Sequence, residues 1–110
     1  RVRRVYSDSN GTVIICTDHG LNIYNPVTRQ MRNIVVTDHS NRYNTAWAYD
    51  IVDDGKGRYW ISSYMGGVFV IDKQKLLTAT NPTIIADRHF LNTCVAACGR
   101  WTWICVGTNV

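Results

Sequence analysis

The chain of 110 residues is long enough for one domain with a single core, and its formal charge is +4, from 12 Lys and Arg against 8 Asp. Beyond the opening Arg1, Arg3 and Arg4 the two signs are mixed along the chain, which argues against a nucleic-acid-binding surface. The apolar runs fall far short of the ~20 residues that a membrane-spanning helix needs, so we expect no membrane span.

The side-chain composition favours strands over helices. Val, Ile and Thr make up 33 of the 110 residues, and every acidic residue is Asp, with no Glu. β-branched side chains lose rotamer freedom in a helix, and Asp prefers caps and turns. We therefore expect an all-β chain with negligible helix.

The first unit of the chain reads as four strands near 2–7, 12–17, 21–25 and 31–37. An Asp-x-x-Gly stretch, Asp8 to Gly11, separates the first two strands. Asp bonds to backbone amides shortly after it, and Gly accepts a positive φ, so this stretch reverses an extended chain.

A second unit repeats the first at an offset of about 46 residues. Asp8 aligns with Asp54, Gly11 with Gly57, and Ile14 with Trp60. The repeat predicts strands near 48–53, 58–63, 67–72 and 83–87. We expect Trp60 to pack between two of the repeated units.

The period of the repeat indicates the architecture. Four antiparallel strands every 40 to 50 residues or so are typical of a β-propeller blade. We predict one domain, 1–110, that is a partial β-propeller with blade repeats at about 2–37 and 48–88. A degenerate third repeat, 93–110, would be the start of a third blade, with "VGTN" (106–109) as a second strand and its turn.

The second repeat resembles one family closely. It has the form Asp-x-x-Gly-x-x-Trp-Ile-x-Ser, followed by Gly-apolar-x-apolar-x-Asp, at Asp54, Gly57, Trp60, Ile61, Ser63, Gly67 and Asp72. This pattern resembles the two-component regulator propeller, found in the extracytoplasmic sensor region of hybrid two-component histidine kinases of glycan-foraging gut bacteria. The first repeat departs from it with Ile14 at the Trp position.

The resemblance implies a function and a location. It implies a non-catalytic sensor fragment that responds to an oligosaccharide, on the periplasmic or extracellular side of the bacterial inner membrane. A propeller lyase of the streptogramin-lyase type shares the same turn and is the enzyme alternative. A purely structural or protein-interaction propeller is the third functional hypothesis.

Strand connectivity brings certain loops together. In an up-and-down blade, the second turn and the crossover to the next blade share one end, opposite the Asp-x-x-Gly turns. Loops on a rigid scaffold often carry function. The candidate ligand-binding residues on the crossover 37–47 and on the turn 63–67 are Asn41, Arg42, Tyr43, Trp47 and Tyr64. Their amide, guanidinium and aromatic groups suit hydroxyls and sugar faces. As an alternative, Trp47 and Tyr49 pack between blades and Asn41 only shapes its turn.

The remaining polar residues predict neither catalysis nor a bound cofactor. No pair of histidines has the spacing of a zinc site, and there is no Gly-x-Ser-x-Gly elbow. His19 and His39 fall at the same end of the repeats, and we interpret His89 as a surface residue. We expect no catalytic residue, no metal and no cofactor.

The four cysteines do not form a metal-binding pattern. Cys16 lies in a predicted strand and behaves as a small buried hydrophobe. For Cys94, Cys98 and Cys105 the sequence permits a bridge from Cys98 to Cys105 across adjacent strands, or free thiols.

Closure of a propeller ring requires further blades. The chain begins without Met, and we interpret it as a mature product or a piece of a longer chain. Its expected partners are other propeller blades or a second copy, besides the oligosaccharide.

Overall fold

The computed structural model describes residues 1–91, 93–98 and 101–106, and the side chains of residues 1–91. Its elements in chain order are β1 (Val2–Ser7), β2 (Val13–Thr17), β3 (Gly20–Asn25), β4 (Gln30–Thr37), β5 (Ala48–Asp53), β6 (Arg58–Ser63), β7 (Gly67–Asp72), α1 (Lys73–Leu77), β8 (Thr83–Ile85), β9 (Arg88–Phe90), β10 (Thr93–Cys98) and β11 (Trp101–Val106).

The strands form two main sheets and a hairpin. Strands β1 to β4 are antiparallel neighbours in one sheet, with β8 added to its edge, and the second sheet has the order β5-β6-β7-β9. Strands β10 and β11 pair with each other in an antiparallel hairpin. The fold is all-β, as the sequence predicts, with two blade-like antiparallel sheets and the start of a third.

The two main sheets have the same irregularity in strand register. The register of β1 on β2 shifts between Val2 and Arg4, and that of β5 on β6 shifts between Ala48 and Asp50. These positions are 46 residues apart, which is the offset of the sequence repeat. Local sequence therefore sets the geometry of both sheets in the same way.

The core lies between the two sheets. Alternate residues of β2, β3 and β4 face alternate residues of β5, β6 and β7, because side chains of a strand point to opposite faces in turn. Fully buried members of this core are Ile14, Leu21, Ile34, Ile51, Tyr59, Ile61 and Phe69. Tyr6 and Tyr59 meet edge to face across the gap, with ring centroids 5.8 Å apart.

Trp60 faces away from the core between the first two sheets. Its indole packs with Val52 and Val68 on the opposite face of the second sheet, and it stacks on Phe90 with centroids 6.0 Å apart. The backbone of β10 approaches β5, β6 and β7. Trp60 thus does not pack between the first two sheets, because it alternates with Tyr59 and Ile61, which do.

The fourth strand of the second sheet was predicted wrongly. Residues 83–85 do not join β7; they form β8, which pairs in parallel with β4 of the first sheet. The strand that pairs with β7 is β9, antiparallel, with Val68 opposite Phe90. The cause is α1: Asp72 accepts a hydrogen bond from Lys75 N at 3.1 Å and caps this helix, so the chain leaves the sheet before it returns.

Part of the predicted third repeat lies outside the described residues, namely 99–100 and 107–110, which include all of "VGTN" (106–109) except Val106. Within the part that is described, no helix is long and apolar enough to cross a membrane.

Candidate functional site

The crossover 37–47 and the turn 63–67 meet at one end of the sheets and line a shallow, open pocket. Its volume is about 240 Å³. The lining residues are Arg42, Tyr43, Asn44, Ala46, Trp47, Ser63, Tyr64, Met65 and Gly66. The loop pairing expected from strand connectivity therefore occurs in the structure.

One carboxylate shapes the crossover. Asp38 Oδ1 accepts hydrogen bonds from Arg42 N at 2.9 Å and Tyr43 N at 3.0 Å, and Asp38 Oδ2 accepts one from Ser40 Oγ. The bond from the Ser40 hydroxyl and those from the backbone amides lower the pKa of Asp38 to about 2. Asp38 is therefore ionised at neutral pH and orders the segment that presents Arg42 and Tyr43.

The crossover is anchored to the first sheet by a buried threonine. Thr45 is fully buried, its hydroxyl accepts a hydrogen bond from Val36 N at 2.8 Å, and its own N donates to Val36 O at 2.9 Å. Ala46 O accepts a further bond from Gly20 N at 2.8 Å. Sequence reasoning missed Thr45, because nothing in its local pattern distinguishes it from a polar loop residue.

Two direct hydrogen bonds join the walls of the pocket. Ser63 Oγ donates to Asn44 O at 2.7 Å, and Tyr64 N donates to Trp47 O at 3.0 Å. The turn itself needs Gly67, which has φ +83° and whose added Cβ would overlap the carbonyl oxygen of Phe90. The two loops therefore form one ordered unit.

The pocket carries a half-exposed aromatic pair. Trp47 is 49% exposed and Tyr64 is 54% exposed, and their ring centroids lie 5.4 Å apart with planes tilted by 32°. Exposed aromatic faces of this kind can stack on the apolar face of a ligand. Trp47 is therefore not buried between the two main sheets of this chain.

An arginine held by an ion pair contacts Trp47 and the neighbouring Tyr49. The guanidinium of Arg3 lies 5.8 Å from the centre of the Trp47 ring and 5.4 Å from that of Tyr49. Asp18 Oδ1 accepts from Arg3 Nε at 2.9 Å. Partial desolvation raises the pKa of Asp18, but the bonds and charge of Arg3 outweigh it and lower the pKa overall. Arg3 is thus held in place against both rings.

Four of the five predicted site residues line the pocket: Arg42, Tyr43, Trp47 and Tyr64. Asn41 does not. It has φ +60°, donates from its N to Asp38 O, and accepts from Thr37 Oγ1 at 3.1 Å, so it shapes the turn. The guanidinium of Arg42 is exposed, and no ion pair holds it within residues 1–91.

His89 was predicted wrongly to be a surface residue. It lies in β9, half-buried beneath the pocket. Its ring stacks on Tyr43 with centroids 5.3 Å apart, and it packs on Phe69 at 4.5 Å. Sequence reasoning missed this role because it placed the fourth strand at 83–87, which left His89 outside the sheet.

The other histidines and the cysteines form no metal centre in the described part of the chain. His19 and His39 are exposed. Cys16 is buried, as expected, and burial raises the pKa of its thiol to about 12.

The Cys98 to Cys105 bridge does not fit the backbone of the β10–β11 hairpin. Cys105 lies opposite Cys94, whereas Cys98 lies opposite Trp101. At ~3.3 Å per residue along a strand, the Cα atoms of Cys98 and Cys105 are farther apart than the ~7 Å limit for a disulfide.

Two solved structures resemble the chain along 97% of its length. Both are of the extracellular domain of BT4673 from B. thetaiotaomicron, described as a one-component system in one case and as a hybrid two-component system in the other. The first matches with a TM-score of 0.82 at 31% identity, and the second with 0.81 at 32%. The chain spans 16% of the length of each. No protein-family model matches the chain, and no curated protein does. This fold therefore occurs within the extracellular domain of a two-component signalling protein.

Proposed function

We propose that the chain is a non-catalytic, ligand-sensing part of the extracytoplasmic sensor of a two-component signalling protein, and that it binds an oligosaccharide. The observation that carries this proposal is the ordered pocket with the half-exposed Trp47–Tyr64 pair. The likeness to the BT4673 extracellular domain supports the sensor role. The repeat pattern at Asp54, Gly57 and Trp60, which resembles the two-component regulator propeller, supports it further.

The geometry gives each side chain a role in binding. Trp47 and Tyr64 stack on the apolar face of a sugar ring. Arg42, free of an ion pair within residues 1–91, donates hydrogen bonds to sugar hydroxyls from its planar guanidinium. Tyr43 and Asn44 supply the adjacent wall.

The test is calorimetric titration of the chain with a panel of malto-, cello-, xylo- and galacto-oligosaccharides of four to six units. Trp47→Ala or Tyr64→Ala should weaken binding by about tenfold, the size of a lost stacking contact. Tyr49→Ala is the matched control, because Tyr49 is an equally exposed aromatic beside the pocket that does not line it. Binding that survives both pocket substitutions would refute the proposed site. If no oligosaccharide of the panel binds, the proposal that the ligand is an oligosaccharide is refuted.

We further propose that the outer face of the first sheet binds another blade or a second copy of the chain. This face, opposite the core, carries Val5 and Met31, which are 60% and 54% exposed, together with the half-buried Val13, Ile15 and Tyr24. Closed propeller rings typically have 4 to 8 blades, and an apolar patch of this kind marks an interface.

Sedimentation of the chain tests this second proposal. The chain should associate at micromolar concentration, and Val5→Lys should reduce the association. Val27→Lys is the control, since Val27 is 88% exposed in the turn after β3 and does not lie on the face. A cooperatively melting monomer would contradict the proposal.

A further inference from the structure

We infer that His89 is the positioning residue of the pocket: it fixes the crossover wall and the turn wall relative to each other, and so sets the ligand affinity. This inference rests on the proposed ligand-binding function. The imidazole contacts both walls from beneath, although His89 itself does not line the pocket.

The first contact is with the crossover wall. The ring of His89 stacks under Tyr43 with an interplanar angle of 20° and a centroid distance of 5.3 Å. It also packs on Phe69, its register partner on β7, which is fully buried in the core. Three rings in a row therefore connect the wall of the pocket to the rigid interior, because a close-packed core does not yield to small displacements.

The second contact is with the turn wall. Nε2 of His89 lies 2.7 Å from the carbonyl oxygen of Gly66. A carbonyl only accepts, so Nε2 carries a proton and donates it. Gly66 lines the pocket between Met65, which has φ +57°, and Gly67, which has φ +83°. Because positive φ is costly for Met65, the turn needs an external contact to hold it, and the His89 bond supplies one.

One side chain thus uses two different groups for the two walls: its ring face for Tyr43 and its N–H for Gly66. Two substitutions separate these roles. His89→Phe keeps a flat ring beneath Tyr43 but removes the donor to Gly66. His89→Gln keeps a donor that can reach Gly66 but removes the ring.

Hydrogen exchange of backbone amides, followed by mass spectrometry on the whole chain, reads each wall separately. His89→Phe should speed exchange in the turn 63–67 by about 3- to 10-fold, the effect of one lost hydrogen bond, and change the crossover 41–47 less, because the amides of Arg42, Tyr43 and Thr45 bond to Asp38 and Val36. His89→Gln should do the reverse. Arg88→Gln is the control on the same strand and should change neither segment, because Arg88 is exposed and its guanidinium stacks on Phe90. Variants that change neither segment, or that raise exchange equally across both sheets, would overturn the inference.

Titration with the panel oligosaccharide that binds the unaltered chain most tightly completes the test. His89→Phe should weaken its binding by about 3- to 10-fold, although His89 does not line the pocket. Unchanged affinity would overturn the positioning role while the proposed function stands. If no panel sugar binds the unaltered chain, the proposed function fails. In that case the exchange rates alone decide whether His89 positions the two walls of the pocket.

Discussion

The Asp-x-x-Gly turns of the two sheets have the same sequence pattern, but their Asp side chains differ in the hydrogen bonds that they accept. In the second sheet, Asp54 Oδ1 accepts from Lys56 N at 2.7 Å, and Oδ2 accepts from Arg58 Nε at 2.7 Å and from Trp60 Nε1 at 3.0 Å. In the first sheet, Asp8 Oδ1 accepts from the backbone, but its Oδ2 is buried without a partner within residues 1–91. The difference follows from the sequence, because Ile14 stands where the second repeat has Trp60.

The effect of this difference on stability can be estimated from the pKa of Asp54. Desolvation raises that pKa, but the bonds from Trp60, Lys56 and Arg58 outweigh it and lower the pKa from 3.8 to about 2. The drop corresponds to about 2 kcal/mol of folding free energy, and the Asp54 side chain is only 13% exposed. Since the folded pKa lies below the unfolded one, this stability is fully present above about pH 5 and is lost as the pH falls through about 2.

The assay is urea unfolding of the chain at pH 7, 5 and 3. Asp54→Asn should lower the unfolding free energy by about 2 kcal/mol at pH 7, and its deficit relative to the unaltered chain should shrink towards pH 3. Asp8→Asn is the matched control and should be neutral or slightly stabilising, because it replaces a buried charged oxygen that lacks a partner with a neutral amide, which costs less to bury. Equal effects of the two substitutions, or an Asp54→Asn deficit that does not depend on pH, would refute the reasoning.

Three further substitutions test the packing. Trp60→Ala should lower the unfolding free energy by about 3 kcal/mol, the lower end of the range for a large aromatic since Trp60 is only half-buried; an unchanged urea midpoint would contradict its packing on Phe90. Gly67→Ala should destabilise the chain by more than about 1 kcal/mol, whereas Gly55→Ala, also at positive φ but with open space around it, should cost only about 1 kcal/mol; equal thermal midpoints would argue against the close approach at Gly67. Tyr59→Phe should leave the melting temperature unchanged or raise it, because the buried Tyr59 hydroxyl has no hydrogen-bond partner within residues 1–91, and a clear drop in the melting temperature would reveal such a partner.

The fold could be predicted from the sequence because the local conformational preferences within each repeat agree with the fold that the repeat adopts. The Asp-x-x-Gly turn, the β-branched strands and the Gly that opens the third strand each prefer the conformation that the sheet requires. The strands at 48–53, 58–63 and 67–72 are observed with the predicted bounds. Direct hydrogen bonding between neighbouring residues carries this information, so a single sequence is sufficient to read it.

The pocket was only partly accessible to the same reasoning. Strand connectivity brought the crossover and the turn 63–67 to one end, which found Arg42, Tyr43, Trp47 and Tyr64. The anchors of those loops depend on contacts between residues distant in sequence. The anchoring role of Thr45 becomes apparent only when the fold places Thr45 beside β4. The hydrogen bond of the Ser63 hydroxyl likewise becomes apparent only when the fold brings Asn44 close to it.

The two main errors of the sequence reading have one physical cause. In the first unit four residues connect the third strand to the fourth, whereas in the second unit fifteen residues, including α1 and β8, lie between Asp72 and β9. One ion pair, Lys73 Nζ to Asp53 at 2.7 Å, holds this longer connection on the second sheet, and another, Lys75 Nζ to Asp87 at 2.7 Å, joins its beginning to its end. The connection moves the fourth strand from 83–87 to 88–90, which turns His89 from a residue beyond the strand into its central one. The insertion that breaks the repeat is therefore what delivers His89 beneath Tyr43 and Gly66, although the inserted residues begin at the opposite end of the sheet, where Lys73 N donates to Gly57 O at 2.9 Å.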